Sequence, residues 1–131
     1  MPASKPTPPT EVPEPVPSVD SASLGERIAS ELELLARNVD VLQRLSGKSP
    51  IGIIRLSEAL NLPIHKVRYS LHLLEREGVV QPSADGAVVT DQTVQYWEAL
   101  HTSLDRMTTL IQQLKEQTDK QRALGANRKG Y

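Results

Sequence analysis

The sequence contains no cysteine and no phenylalanine, and Trp97 is its single tryptophan. Without cysteine there can be no disulfide framework, no thiolate zinc site and no thiol nucleophile, which suits a cytosolic protein. Without phenylalanine, a hydrophobic core has to be assembled from Leu, Ile and Val. No apolar run approaches the roughly 20 residues that a bilayer span requires. The proline-rich start lacks the layout of a signal peptide, so a soluble, cytoplasmic chain with no membrane partner is expected. The formal net charge is -1, so there is no overall positive excess to advertise a nucleic-acid partner. Catalytic patterns are missing as well: there is no Gly-x-Ser-x-Gly turn, no phosphate loop and no pair of acids in an apolar setting. Neither an enzyme nor a cofactor is expected.

What is present centres on Ile53 to Gly78, IIRLSEALNLPIHKVRYSLHLLEREG. Leu56 and Leu60, then Val67, Leu71 and Leu74, recur at helical spacing, so two amphipathic helices follow one another. Asn-Leu-Pro separates them, and Pro63 suits the first position of the second helix, where its missing N–H costs nothing. Gly78 suits the left-handed cap at the far end. Next comes VVQPSADGAVVT, two β-prone runs around Ala-Asp-Gly that read as a hairpin. Helix, turn, helix and hairpin in this order predict a winged helix-turn-helix.

The exposed positions of the second helix are His65, Lys66, Arg68, Tyr69, His72 and Arg76. These are mostly hydrogen-bond donors. The major groove of DNA admits an α-helix, and a good bidentate pair from Arg or Lys to guanine supplies about 1–3 kcal/mol of discrimination. His65, Tyr69 and His72, spaced four and three apart, form one stripe expected to face DNA. Lys66 and Arg68 would stand at its margins as phosphate contacts. The plainer alternatives are that Tyr69 is half-buried against the long first helix of the chain and that Arg68 pairs with an acid. Residues 48–80 carry five Lys or Arg against three acids, while residues 1–47 carry four against seven. The surplus sits with the reading helix, though it is small. His65 and His72 are not expected to bind metal, because no cysteine or well-placed carboxylate completes a site.

The flanks supply the rest of the plan. Residues 1–22 hold seven of the ten prolines and read as a disordered, partly polyproline-II tail. Ser23 with Glu26 forms a capping-box pattern that opens a long first helix. Ile28, Leu32, Leu35, Val39 and Leu42 continue along it to Gly47. Its later half should cover the winged core through Val39, Leu42 and Leu45. Pro50 and Ile51 could add a short third strand to the hairpin.

After the hairpin, Thr90 or Asp91 can cap a last helix. On it Trp97, Leu100, Leu104, Met107, Ile111 and Leu114 follow the three-four spacing of a coiled coil. Such a stripe exceeds what a domain of residues 23–90 could cover. A second copy of the chain, paired antiparallel over residues 91–120, is therefore expected. The alternative is a fourth helix folded back on its own domain. From Gln121 the pattern stops, leaving a flexible basic tail over residues 121–131.

Residues 50–90, PIGIIRLSEALNLPIHKVRYSLHLLEREGVVQPSADGAVVT, resemble the predicted winged-helix transcriptional regulators of archaea. The similar stretch there has a P-I-G-I start, an H-K-V-R-Y-S-L core and a following L-E-x-E-G. The winged domain with a long C-terminal helix also resembles small dimeric archaeal DNA-binding proteins associated with chromatin. The resemblance implies double-stranded DNA as partner, and His65, Lys66, Arg68, Tyr69 and His72 match positions that face the major groove or its flanking phosphates. The short wing departs from strongly basic relatives, with Asp85 at its tip and no Lys or Arg. The expected fold is mainly α with a small β-hairpin, and the expected function is a homodimeric DNA-binding regulator. A protein-interaction adaptor on a winged scaffold, or an architectural protein that coats DNA with little base preference, are the alternatives.

Overall fold

The computed structural model describes residues 21–127, so the proline-rich segment 1–20 and the basic end from residue 128 lie outside the described residues. The elements are α1 (Ser21–Gly47), α2 (Ile53–Leu60), α3 (Ile64–Arg76), β1 (Val80–Ser83), β2 (Gly86–Val89) and α4 (Thr93–Asn127). This is a mainly helical chain with one antiparallel hairpin, a winged helix-turn-helix followed by a long C-terminal helix.

Ser23 and Glu26 lie inside α1, which already includes Ser21 and Ala22, so the expected capping box does not open the helix. Alanine is the best helix former and serine is tolerated, so nothing there opposes helix. The face that α1 turns to the core is Asn38, Val41, Leu42 and Leu45, all buried. Val39, expected in that row, is only half-buried. The burial of polar Asn38 is what shifts the face, and an apolar count along the sequence passes over it.

The helix-turn-helix is closed by short-range bonds. Gly52 caps α2, and its carbonyl accepts the Leu56 N–H at 3.0 Å. Asn61 then takes a left-handed conformation, φ 56°, which asparagine tolerates better than most residues. The Ser57 hydroxyl donates to the Leu62 carbonyl across the same turn. Pro63 proves to be the N-cap of α3, with an extended ψ of 147°, and not its first helical residue. Its carbonyl takes the N–H groups of Lys66 and Val67 at 3.1 and 3.2 Å. On α3 the inner residues Val67, Ser70 and Leu74 are buried. Gly78, φ +82°, ends the helix as expected.

β1 and β2 pair from Val80 with Val89 to Ser83 with Gly86. Ile51 joins the hairpin by a reciprocal bridge to Ala87, N···O 3.1 and 2.9 Å, so the third strand is a single residue pair. Gly86 makes this approach possible. Its φ is +128°, and a Cβ there would lie 2.5 Å from the Ile51 carbonyl carbon and 2.6 Å from the Gly52 nitrogen. Val79, Val80 and Ala87 thereby enter the same core as Leu42, Leu56 and Val67.

The Thr90 hydroxyl donates to the Gly78 carbonyl at 2.7 Å and accepts the Gln92 N–H at 3.2 Å. It braces the turn before α4 and does not cap the helix directly, because helix begins only at Thr93. Tyr96 and Trp97 pack on the core, their rings edge to face at 5.9 Å. Beyond them α4 does not fold back: Leu104, Leu110, Ile111 and Leu114 are exposed. The helix also runs through Gln121, where a loose tail was expected, to Asn127. Residues 119–124 are mostly good helix formers, and Arg122 pairs with Asp119 one turn back at 3.4 Å.

The glycine contrast is measurable. Gly86→Ala should destabilise the domain by about 1–3 kcal/mol, since both the backbone angle and the space forbid a side chain. Gly47→Ala, with nothing within 4 Å, should leave stability unchanged or slightly raised in the same urea titration.

Candidate nucleic-acid interface

α3 has two chemically opposite faces. Val67, Ser70 and Leu74 hold one face in the core. At about 100° per residue, His65, Tyr69, His72 and Arg76 then lie in one row pointing directly away from it. All six residues expected to contact DNA, namely His65, Lys66, Arg68, Tyr69, His72 and Arg76, are exposed. Tyr69 is 51% exposed. Lys66 and Arg68 stand on opposite margins of the row. Neither belongs to any ion pair among the described residues. His72 does have a neighbour, with Nδ1 3.8 Å from Glu75 Oε1.

The inner face is held by a contact that apolar periodicity does not reveal. Arg37 Nε on α1 donates to the buried Ser70 Oγ at 3.1 Å. This bond adds a directional contact to the apolar packing that seats the inner face of α3. Ser70 sits among apolar positions on α3, and that interruption is the only trace of the bond in the sequence.

The wing offers no positive charge. The Ser83 hydroxyl donates to the Gly86 carbonyl at 2.6 Å and accepts the Asp85 N–H at 3.3 Å, which ties down a turn whose tip is acidic. Arg55, exposed on α2, is a further cation on the helix-turn-helix.

Where α1, the end of α3 and the start of α4 meet, a groove has an apolar floor of Leu34, Leu35 and Leu73. Glu31, Arg76 and Tyr96 stand at its edges. Arg76 thus belongs both to the outward row and to this groove. Asn38 Oδ1 is buried nearby without a hydrogen-bond partner among the described residues. Burial raises the Tyr96 pKa above its ordinary value, and the Glu77 carboxylate adds to the effect. Among the described residues no group of three or more His, Cys, Asp or Glu could hold a metal ion. No helix among them is long and apolar enough to cross a membrane.

No family model matches the chain, and no curated protein matches it. Among solved structures it is similar to MepR, a transcription regulator of the Staphylococcus aureus multidrug efflux pump MepA. The TM-score is 0.47 at 20% identity, over 82% of this chain and 88% of that chain.

The six residues of the coiled-coil pattern are placed unequally. Trp97 packs against the core of its own domain, and Leu100 and Met107 are half-buried. Leu104, Ile111 and Leu114 are exposed, and so are Leu110 and Leu124, which lie beside the seam and outside its a/d pattern.

The Tyr96 shift has a definite sign. A raised folded pKa means that the neutral phenol is favoured in the fold. The stabilisation is full below the unfolded value of about 10 and is lost as pH rises through the higher folded value. Chemical denaturation across the alkaline range should show stability falling in the wild type and a flatter profile in Tyr96→Phe.

Proposed function

We propose that the chain is a homodimeric DNA-binding protein that regulates transcription by placing α3 in the major groove. The observation that carries this reading is the exposed row His65, Tyr69, His72 and Arg76, set opposite the buried Val67, Ser70 and Leu74. His65, Tyr69 and His72 read base edges, at the end of α3 that enters the groove first. Lys66 and Arg68, outside every ion pair among the described residues, take the phosphates on either side. Arg76 lies at the far end of the helix and contributes a backbone contact. The acidic turn at Asp85 keeps the wing out of the minor groove, whose potential is negative.

The second half of the proposal is dimerisation. An exposed stripe of Leu104, Ile111 and Leu114 on a helix that leaves its own domain needs a partner, and a second α4 supplies an equivalent surface. Two recognition helices held by one rod would engage successive major grooves.

Mobility shift on a random-sequence duplex pool at two salt concentrations tests both halves when run beside a mass measurement. The wild type should bind as a dimer and weaken steeply with salt. Lys66→Ala with Arg68→Ala should lower the salt slope by about 1 for each phosphate that is no longer neutralised. Tyr69→Ala should instead change which sequences are enriched. A dimer that fails to shift any duplex at low salt would overturn the DNA reading and leave the winged domain as a protein-interaction scaffold.

A further inference from the structure

The apolar surface of α4 is wider than its a/d seam. Leu110 and Leu124, 47% and 52% exposed, lie in a row with Tyr96 at intervals of two heptads. Ser103 and Gln117 fill the places between them. The row continues to the last described turns of the helix, which ends at Asn127.

The opposite flank carries charge in a sorted order. Glu98 and Asp105 come early, and Lys115 and Arg122 come late. His101 and Asp119 stand on the same flank. The side chains of His101, Asp105, Asp119 and Arg122 are largely exposed. Their only ion pairs among the described residues are the local ones, His101 with Asp105 and Asp119 with Arg122.

Both rows are self-complementary under a twofold axis perpendicular to the helix. We infer that α4 pairs along its whole length with α4 of a second copy, antiparallel, in the register whose twofold axis passes at Thr109, so that Leu110 beside it meets its own counterpart along the flank. This deepens the homodimer reading above and rests on it. In this register Leu104 faces Leu114 of the second copy, Met107 faces Ile111, and Tyr96 faces Leu124. On the charged flank Asp105 meets Lys115, Glu98 meets Arg122 and Asp119 meets His101. The two helices also begin and end within two residues of each other, Thr93 level with Gly125. The last turns of each helix, past the apolar seam, then cover the first turns of the second copy.

Other arrangements lose these matches. A parallel pair puts Trp97 against Trp97 and brings the early acids of both chains together. A slip of one heptad sets Leu110 against Ser103 or Gln117 and leaves one end of each helix overhanging. The charge pairs are exposed and individually weak, so they select the orientation more than they hold the dimer.

The register also sets a length. Trp97, where α4 leaves its domain, lies opposite Gln121 of the second copy. At 1.5 Å per residue the two departure points are about 36 Å apart along the rod. One turn of B-DNA is about 34–36 Å, the spacing at which two recognition helices meet successive major grooves. The coiled coil thus acts as a ruler for half-site separation.

The absence of cysteine makes the test clean, because any introduced thiol is unique. Leu104→Cys, Leu110→Cys, Leu114→Cys and Met107→Cys variants of the full chain are treated, singly and as mixed pairs, with a short bis-maleimide. Folding of each variant is checked by its thermal melt. Leu110→Cys should cross-link to itself. Leu104→Cys should link to Leu114→Cys and not to itself, since in this register its own counterpart is about 15 Å away along the axis. Self-linking of Leu104→Cys means a parallel pair, and preferential linking of Leu104→Cys to Met107→Cys means a shifted register; either outcome overturns the inference. A monomeric mass for the wild type instead overturns the homodimer reading beneath it. Independently of any thiol, Lys115→Glu should weaken the dimer several-fold, and adding Asp105→Lys in the same chain should restore it. Equal weakening by the two changes, without restoration, would also count against the antiparallel register.

Discussion

The inner face of α3 is the constraint on which the other features of the domain depend. Val67 and Leu74 are held in an aliphatic core by Val41, Leu42 and Leu45 of α1 and by Leu56 of α2. Between them the buried Ser70 hydroxyl meets Arg37 at 3.1 Å. Burial of aliphatic side chains stabilises at about 25 cal/mol per Å² but is indifferent to small rotations of a helix. The hydrogen bond is directional. It adds a preferred rotation to the apolar seating, which leaves His65, Lys66, Arg68, Tyr69, His72 and Arg76 on the outer side. What this helix offers to solvent therefore depends in part on a contact on its hidden side.

The wing is secured to that core by backbone approach, and the last helix by a small polar group and by two aromatic rings at its root. Gly86 allows the hairpin to touch the backbone at Ile51, and the Ile51–Ala87 bridge then carries Ala87 into the core. Thr90 bonds back to the end of α3 at Gly78 and so sets the direction in which α4 departs. With no phenylalanine available, Tyr96 and Trp97 supply the bulk that anchors α4 at its root. From Leu104 onward the helix carries Leu104, Leu110, Ile111, Leu114 and Leu124 exposed on its surface, where water disfavours them.

Charge distribution follows the same division of labour. The whole chain is nearly neutral, yet the helix-turn-helix carries a local surplus of cations, and Lys66 and Arg68 stand at the margins of the outward row. The wing carries none. A protein arranged in this way presents one basic helix in place of a broad basic surface. Its encounter with a polyanion would be steered locally, and specific contacts would have to carry more of the affinity.

Much of this was legible in the sequence because the signals were local. The three-four spacing on α3, the Asn-Leu-Pro turn, Gly78 and the Ala-Asp-Gly turn each depend on neighbours within a few residues, and so do helix period, caps and turns. The outward row was legible for the same reason, since it is what remains when the apolar residues are subtracted. Some of the errors lie where the physics is long-range. Asn38 and Ser70 are polar yet buried, which only partners distant in sequence can decide. Pro63 moved by one position, within the one or two residues by which helix ends vary, and Ser23 lost its capping role because Ser21 and Ala22 before it do not oppose helix. The extension of α4 to Asn127 came from helix propensity and a local ion pair, beyond the point where the apolar pattern had ended. By itself, then, the sequence determined which helices and turns form and which side chains are polar on them. Tertiary structure alone decided the rotation of α3, the seating of the wing on Ile51 and the departure of α4 from the domain, because each depends on contacts between residues far apart in the chain.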